Sequence, residues 1–179
     1  MAGEYLAAIE NRSLALKQLT EELFRYTLIT ANDDELLLEE RSVNGILENT
    51  VLSFYSVLKE GKIDLHISVP EQQIFRKINE NALSRVLENI ISNAVKYSDG
   101  DLQIALTEKG EIIFSNHASQ LTEVQVERLF DRFYTVSSSR KSTGLGLSIA
   151  KALVERMGGT VEADFREKIL TIRIAFRKE

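Results

Sequence analysis

Two asparagines and a lysine occur at helical spacing in one segment, and their side chains could bind a magnesium nucleotide. The apolar residues of Asn81–Tyr97 recur with the period of a helix and define one face of it. Asn89, Asn93 and Lys96 fall within about 60° of one another at the edge of that face. Carboxamide oxygens suit Mg²⁺ that keeps most of its waters, and lysine is a point charge for phosphate. The alternative, which the spacing alone favours, is an ordinary exposed edge of the helix.

A second pattern that suits phosphate lies at the start of a later helix. Gly144 and Gly146 stand where the polar, serine-rich segment Tyr134–Thr143 meets a helix predicted to end at Met157. Glycines at such a junction let backbone amides approach a phosphate at the helix end where the dipole favours anions. A junction that only requires left-handed backbone would give the same sequence. The preceding segment, Leu129–Tyr134, predicts either anchors for the loop or plain core residues.

Composition excludes several other kinds of chemistry. The 179 residues include two histidines and no cysteine, which excludes disulfides, thiolate metal sites and a cysteine nucleophile. A catalytic triad or a three-histidine metal site would depend on His66 and His117 alone, which disfavours both. The formal net charge of −5 disfavours nucleic acid as a partner. No apolar run approaches the roughly 20 residues of a membrane span, and no signal peptide is recognisable, so we expect a cytoplasmic location.

The remaining patterns predict a mixed α and β domain behind a separate helix. Residues 4–29 have a heptad seam, typical of a helix that packs against partner helices, although packing on its own domain would give the same pattern. The apolar members of the seam are Leu6, Ile9, Leu16 and Leu23. Residues 32–41 are acidic and predict a solvated connector or helix cap. Further helices are predicted at 42–59, 81–97, 122–130 and 144–157, and strands at 63–69, 102–106, 111–114, 161–165 and 169–176.

Three segments, taken in order, resemble the motifs of sensor histidine kinases. Residues 85–98 (RVLENIISNAVKYS) resemble the N box, residues 129–134 (LFDRFY) the F box, and residues 142–151 (STGLGLSIAK) the G2 box. The resemblance covers about residues 42–179, and three motifs in the right order make it specific. Residues 4–24 are similar to the second helix of the dimerisation and histidine-phosphotransfer domain of that family.

The resemblance implies a fold and a division of the chain. The fold would be α+β, a two-layer sandwich of the Bergerat type in which helices cover one face of a mixed sheet, preceded by an N-terminal helix. Residues 1–31 would be the second helix of a truncated phosphotransfer domain, residues 32–41 a connector, and residues 42–179 the catalytic ATP-binding domain. The chain would be the cytoplasmic part of a membrane-bound sensor and would form a homodimer through its helical segment in the full-length protein.

The resemblance also implies an activity. The γ-phosphoryl group of ATP would pass to a histidine and then to an aspartate of a response-regulator receiver domain. Asn89 and Asn93 would hold Mg²⁺ and the phosphates. Lys96 would approach the phosphates, and Tyr97 would line the adenine side.

Further site residues follow from the other two motifs. Arg132 and Arg140, in or beside the lid, would neutralise charge on the transferred phosphoryl group. Phe130 and Phe133 would anchor the lid. The remaining nucleotide-binding residues implied by the resemblance are Phe133, Thr143, Gly144, Leu145, Gly146 and Leu147.

One motif departs from the family pattern. The family's G1 box has an aspartate followed by glycines, whereas residues 115–119 read SNHAS, and Asn116 is the best match for the aspartate. Its side-chain oxygen can still accept a hydrogen bond from the adenine amino group, but it is neutral, so the bond lacks charge assistance. We therefore expect weaker ATP binding. His117 is expected to be a loop residue near the adenine.

Two other functions compete with the sensor kinase. A gyrase- or chaperone-type ATPase needs a glutamate where this chain has Asn89, and Glu88 points about 100° away on the wheel. A non-catalytic interaction module is supported by the altered G1 box. If the chain is a kinase, neither histidine has the helical context of a phosphoacceptor, and the helix that carries it has no counterpart before Tyr5. The chain should then bind ATP without phosphorylating itself.

Overall fold

A mixed sheet forms one layer of the domain. In this computed structural model, the described residues are 36–136, 143–177 and scattered helical positions between Tyr5 and Thr27. The strands in the described ranges are β1 (Glu39–Ser42), β2 (Asp64–Ser68), β3 (Phe75–Ile78), β4 (Asp101–Leu106), β5 (Ile112–His117), β6 (Thr160–Arg166) and β7 (Ile169–Ala175). The main sheet has the order β2-β4-β5-β7-β6, and β1 pairs with β3 in a separate two-stranded sheet.

Helices form the second layer. In the described ranges they are α1 (Val43–Ser53), α2 (Tyr55–Glu60), α3 (Glu80–Tyr97), α4 (Glu123–Glu127) and α5 (Gly146–Arg156). The apolar residues of α1, α3 and α5 belong to one core cluster with those of the main sheet. None of the helices in the described part of the chain is long and apolar enough to span a bilayer.

The main sheet buries one face only. Strand β2 runs parallel to β4, and the other neighbours are antiparallel. Ile104, Phe114 and Ile172 lie side by side across the three central strands and are buried. Gln103 and Arg173, on the opposite face, are exposed. The predicted two-layer sandwich, with helices on one face of a mixed sheet, is therefore confirmed.

Helix α3 positions the polar stripe identified in the sequence, Asn89, Asn93 and Lys96. Its start is fixed by Asn79, whose side chain accepts a hydrogen bond from the Ala82 N–H at 2.9 Å. Its apolar face is buried, and each fully buried leucine or isoleucine contributes about 1.5–3 kcal/mol. The buried members are Ala82, Leu83, Val86, Leu87, Ile90, Ile91 and Ala94. The predicted wheel is therefore confirmed, and the stripe lies where it borders the core.

The shortest predicted helix also has its predicted start. The Thr122 hydroxyl accepts from the Gln125 N–H at 3.4 Å, and the Gln125 side chain accepts from the Thr122 N–H at 3.0 Å. This capping box opens α4 as its sequence spacing predicted.

Two features near residue 40 differ from the prediction. Glu39–Ser42, predicted as connector, forms β1 and pairs antiparallel with β3, from Glu39↔Ile78 to Ser42↔Phe75. The helix predicted over 42–59 is interrupted at Phe54, whose N–H donates to the Val51 carbonyl at 3.1 Å. Strand β1 was not predicted because its residues are all polar and show no alternation. The interruption at Phe54 was not predicted because the apolar residues keep their helical spacing across it.

The N-terminal segment is helical at its described positions. Ile9, Leu16 and Leu23 of the predicted seam are exposed there, Leu16 by 65%. Leu19, which is outside the seam, is partly buried and packs against the core of the domain. The seam therefore presents apolar side chains to the outside, as a helix with missing partners would.

Candidate nucleotide-binding site

A cavity of about 280 Å³ lies between α3 and the segments that lead into α4 and α5. Helix α3 contributes the largest share of its lining. These residues are Arg85, Glu88, Asn89, Ser92, Asn93, Ala94, Lys96 and Tyr97. Other segments contribute Phe54, Asn116, Ala118, Leu121, Leu129, Tyr134, Thr135, Val136, Thr143, Gly144, Gly146, Leu147 and Leu170.

The structure brings the polar stripe of α3 into this cavity. Asn89, Asn93 and Tyr97 are half-buried, and Lys96 is exposed. The Asn89 Nδ2 is buried and has no hydrogen-bond partner among the described residues. Buried polar groups are nearly always paired, so the unpaired Asn89 amide beside this cavity is a group that a ligand or an ordered water would pair. The donor set is the one that the sequence predicts for a phosphate-bearing molecule.

A glycine turn places the start of α5 against the same stripe. Gly144 has φ +70°, and a Cβ added there would lie 2.5 Å from the backbone carbon of Phe133. The Phe133 N–H donates to the Gly144 carbonyl at 3.0 Å. A Cβ added to Gly146 would lie 3.6 Å from the Asn89 Oδ1. Only glycine fits at residue 144, and this turn brings the N-terminus of α5 to the Asn89 carboxamide.

The first amides of α5 face the cavity in part. Gly146 and Leu147 line it, whereas Leu145 is fully buried and its N–H donates to the Thr143 Oγ1 at 3.4 Å. No side chain caps α5 within the described ranges, so its first N–H groups and its dipole are available to an anion.

Asn116 occupies the opposite side of the site, at the end of β5. It is 6% exposed, and its Nδ2 donates to the His117 carbonyl at 2.9 Å. The reverse orientation would place two oxygens together, so this bond leaves the Asn116 Oδ1 for the cavity. The expected acceptor for an amino group is therefore present in the described site.

His117 differs from the prediction of a loop residue near the adenine. It is the last residue of β5, paired with Ile169, and its side chain is exposed. Its ring Nδ1 lies 2.8 Å from the Asp101 Oδ2. Within the described ranges it does not line the cavity, because the strand continues further than the apolar alternation indicates.

The lid residues have mixed outcomes. Phe130 packs against the core, as predicted for an anchor. The Phe133 side chain is 55% exposed and does not line the cavity, because its left-handed backbone, φ +60°, turns it outward. Its anchoring is through the backbone bond to Gly144. Arg132 is exposed and outside the described lining, and Arg140 lies outside the described residues.

The sequence did not predict that two aromatic residues, Tyr134 and Phe54, line the cavity. Tyr134 has the Arg128 guanidinium 4.5 Å above its ring, and Arg128 Nε lies 3.1 Å from the Asp131 Oδ2. Phe54 reaches the cavity where α1 is interrupted. The i, i+3 charge pair of Arg128 and Asp131 could have indicated Tyr134 from the sequence. Phe54 could not be recognised, because the apolar spacing continues across the interruption of α1.

Glu88 also lines the cavity, against the expectation from the wheel. Its Oε2 lies 3.5 Å from the Arg85 Nη1, one turn earlier on α3, and both side chains are partly exposed. A long side chain can reach a cavity that its Cα direction does not face.

Comparison with known proteins identifies the family. Residues 78–178 match the family described as histidine kinase-, DNA gyrase B-, and HSP90-like ATPase. The sensor histidine kinase YcbM of Bacillus subtilis is 28% identical over 87% of this chain and 53% of its own length. The sensor histidine kinase WalK of the same organism is 26% identical over the whole chain and 31% of its own length. The chain thus spans about half or less of these relatives.

Solved structures have the same fold. The histidine kinase AdeS of Acinetobacter baumannii has a TM-score of 0.73 at 20% identity, over 94% of this chain and 81% of its own. Full-length ShkA in complex with AMPPNP has a TM-score of 0.75 at 23% identity, over 96% and 37%. The chain belongs to the histidine kinase-, DNA gyrase B-, and HSP90-like ATPase family, and its ATPase domain is of the type found in sensor histidine kinases.

Proposed function

We propose that this chain is the ATP-binding catalytic part of a sensor histidine kinase and delivers the γ-phosphoryl group of ATP to a histidine on another helix. The observation that carries the proposal is the meeting of the α3 stripe with the Gly144 turn in one cavity. Both histidines of the chain, His66 and His117, lie on strands with exposed side chains. The acceptor would therefore come from outside the described domain.

Different residues of the cavity would bind different parts of the magnesium nucleotide. Asn89 and Asn93 would hold Mg²⁺, which neutralises phosphate charge when bound. Carboxamides bind this ion through their oxygens, and the unpaired Asn89 Nδ2 would donate to a phosphate oxygen. Lys96 would add a point charge, and the first N–H groups of α5 would donate to the phosphate oxygens, as helix N-termini do to bound anions.

The lid and the partners complete the proposal. Arg132 and Arg140 would stabilise charge on the transferred group. The phosphohistidine would then donate its phosphoryl group to an aspartate of a response-regulator receiver domain. The exposed seam at Ile9, Leu16 and Leu23 would join two copies in the full-length protein. As in a membrane-bound sensor of this family, this chain would lie on the cytoplasmic side.

Replacing Asn116 by aspartate is expected to tighten ATP binding. The Asn116 Oδ1 accepts as a neutral atom, and a charged acceptor gains at most about 1 kcal/mol, or about fivefold in Kd. The gain is reduced by loss of the hydrogen bond from the Asn116 Nδ2 to the His117 carbonyl. Calorimetric titration of a non-hydrolysable ATP analogue with Mg²⁺ measures the change. Equal or weaker binding by Asn116→Asp would show that a charge at residue 116 does not improve recognition of the amino group.

Phosphoryl transfer in trans tests the proposal as a whole. The chain alone, incubated with Mg-ATP, is expected to keep its intact mass. When a histidine-bearing helical hairpin from a related sensor kinase is added, the hairpin is expected to gain one acid-labile phosphoryl group. The same hairpin with its histidine replaced by glutamine is the control. Nucleotide binding without transfer to a docked hairpin would count against a kinase.

ATP hydrolysis is a second candidate because Glu88 lines the cavity. A glutamate near the phosphates could activate water, although Arg85 engages its carboxylate here. Phosphate release that needs no acceptor and is lost in Glu88→Gln would favour this function over transfer.

A further inference from the structure

A cluster of hydrogen bonds ties the end of α3 to the end of β5. Asp99 follows the helix, and its N–H donates to the His117 carbonyl at 2.8 Å. Its carboxylate accepts from the Ser119 N–H at 2.7 Å and from the Ser119 hydroxyl at 3.1 Å. Both joined segments contribute to the cavity, through Tyr97 and Ala118.

The His117 carbonyl connects this cluster to the lining residue Asn116. The oxygen accepts two hydrogen bonds, one from the Asp99 N–H at 2.8 Å and one from the Asn116 Nδ2 at 2.9 Å. A carbonyl has two lone pairs and is saturated by this arrangement. The orientation of the Asn116 carboxamide therefore depends on a carbonyl that the turn after α3 holds in place.

A second carboxylate holds the other side of the same residue. The Asp101 Oδ1 accepts from the His117 N–H at 2.9 Å, and its Oδ2 lies 2.8 Å from the His117 ring Nδ1. The backbone register between β4 and β5 ends before this point, at Gln103↔Ser115. Where β5 reaches the cavity, hydrogen bonds to side chains thus replace the backbone hydrogen bonds between β4 and β5. Both the N–H and the carbonyl of His117 are held by hydrogen bonds.

The Asp99 carboxylate is suited to this role at neutral pH. The hydrogen bond from the Ser119 N–H lowers the pKa of Asp99, and the Ser119 hydroxyl lowers it further. Ionised acceptors form the stronger hydrogen bonds, and the lowered pKa of Asp99 keeps its carboxylate ionised to a lower pH than usual.

We propose that Asp99 is a positioning residue for recognition of the adenine base. Its backbone N–H would hold the His117 carbonyl and, through it, the Asn116 Oδ1, at a fixed spacing from Asn89 and Asn93 on α3. Its carboxylate would fix that N–H in place through the two hydrogen bonds to Ser119. An oxygen at that position accepts from the 6-amino group of adenine and opposes the 6-carbonyl of guanine. The inference rests on the proposed nucleotide function and adds a determinant of base selectivity to it.

Displacement of a fluorescent ADP analogue by Mg-ADP and by Mg-GDP tests this role. In Asp99→Ala, the ratio of the two Kd values is expected to fall about tenfold towards equality, because the carboxylate no longer fixes the Asp99 N–H and the Asn116 Oδ1 loses its orientation towards the base. Asp164→Ala, at an exposed aspartate 3.0 Å from Arg166 on β6, is the matched control and should leave the ratio unchanged. A purely structural role would weaken both nucleotides equally and leave the ratio as it is.

Two milder variants keep the inference testable if Asp99→Ala does not fold. Asp99→Asn keeps one acceptor, and Ser119→Ala removes only the hydroxyl donor, so each should lower the ratio by about two- to threefold. A wild-type ratio in Asp99→Ala, or in both milder variants, overturns the inference alone. A wild-type chain that binds neither nucleotide overturns the proposed function and the inference together.

Discussion

Gly144→Ala is expected to reduce nucleotide affinity by at least about 100-fold, because the turn that positions the start of α5 has no room for a side chain. The left-handed backbone at φ +70° and the contact of the new Cβ with the Phe133 backbone would together cost about 2–4 kcal/mol of the free energy of unfolding. Urea denaturation and calorimetric titration with a Mg-nucleotide measure the two effects.

Gly158→Ala is the control for Gly144→Ala. Gly158 has φ +72°, nearly the same backbone conformation, but a Cβ added there meets nothing within 4 Å. It should lose only the conformational part, about 1–2 kcal/mol, and bind nucleotide normally. If both variants bind nucleotide as wild type does, the Gly144 turn does not build the site.

Asn93→Ala is expected to remove magnesium-dependent nucleotide binding while the fold stays intact. Asn93 is half-buried and lines the cavity one turn after Asn89, so its carboxamide would be one of two protein ligands to the ion. Changes beside a metal typically cost about 10–100-fold in affinity, and loss of a ligand should reach the upper end of that range.

The matched control for Asn93→Ala is Asn81→Ala on the same helix. Asn81 is exposed in the first turn of α3 and lies outside the cavity. Titrations with and without Mg²⁺ should show normal behaviour for Asn81→Ala and a lost magnesium effect for Asn93→Ala. A magnesium effect of normal size in Asn93→Ala would remove this residue from the ion site.

The parts of the fold that the sequence predicted are those in which one repeated pattern determines the result. The burial of α3 follows from a 3.6-residue period, and the capping box of Thr122 and Gln125 follows from a fixed offset. Strand β1 could not be predicted, because its four residues are all polar and show no alternation of apolar and polar side chains. Its pairing with β3 also depends on partner residues 33–39 positions away.

The candidate site was predictable where motif and geometry coincide. Asn89, Asn93 and Gly144 line one cavity. The helix period that places the two asparagines on one stripe and the requirement for glycine at the turn are both local properties of the sequence. The Phe133 side chain lies outside the lining of the cavity, and no local pattern indicates this, because its positive φ depends on the turn it forms with Gly144. The role inferred for Asp99 involves residues 18–20 positions away, and no local pattern indicates it.

Amide-detected NMR of the ¹⁵N-labelled wild-type chain tests the central claim, that the cavity binds a magnesium nucleotide through α3 and the start of α5. On addition of a non-hydrolysable ATP analogue with Mg²⁺, the unpaired Asn89 side-chain amide and the backbone amides of Gly146 and Leu147 are expected to shift most. His66, exposed on β2, should not move. Shifts confined to β2 and its surroundings, or no shifts at millimolar analogue, would contradict the account.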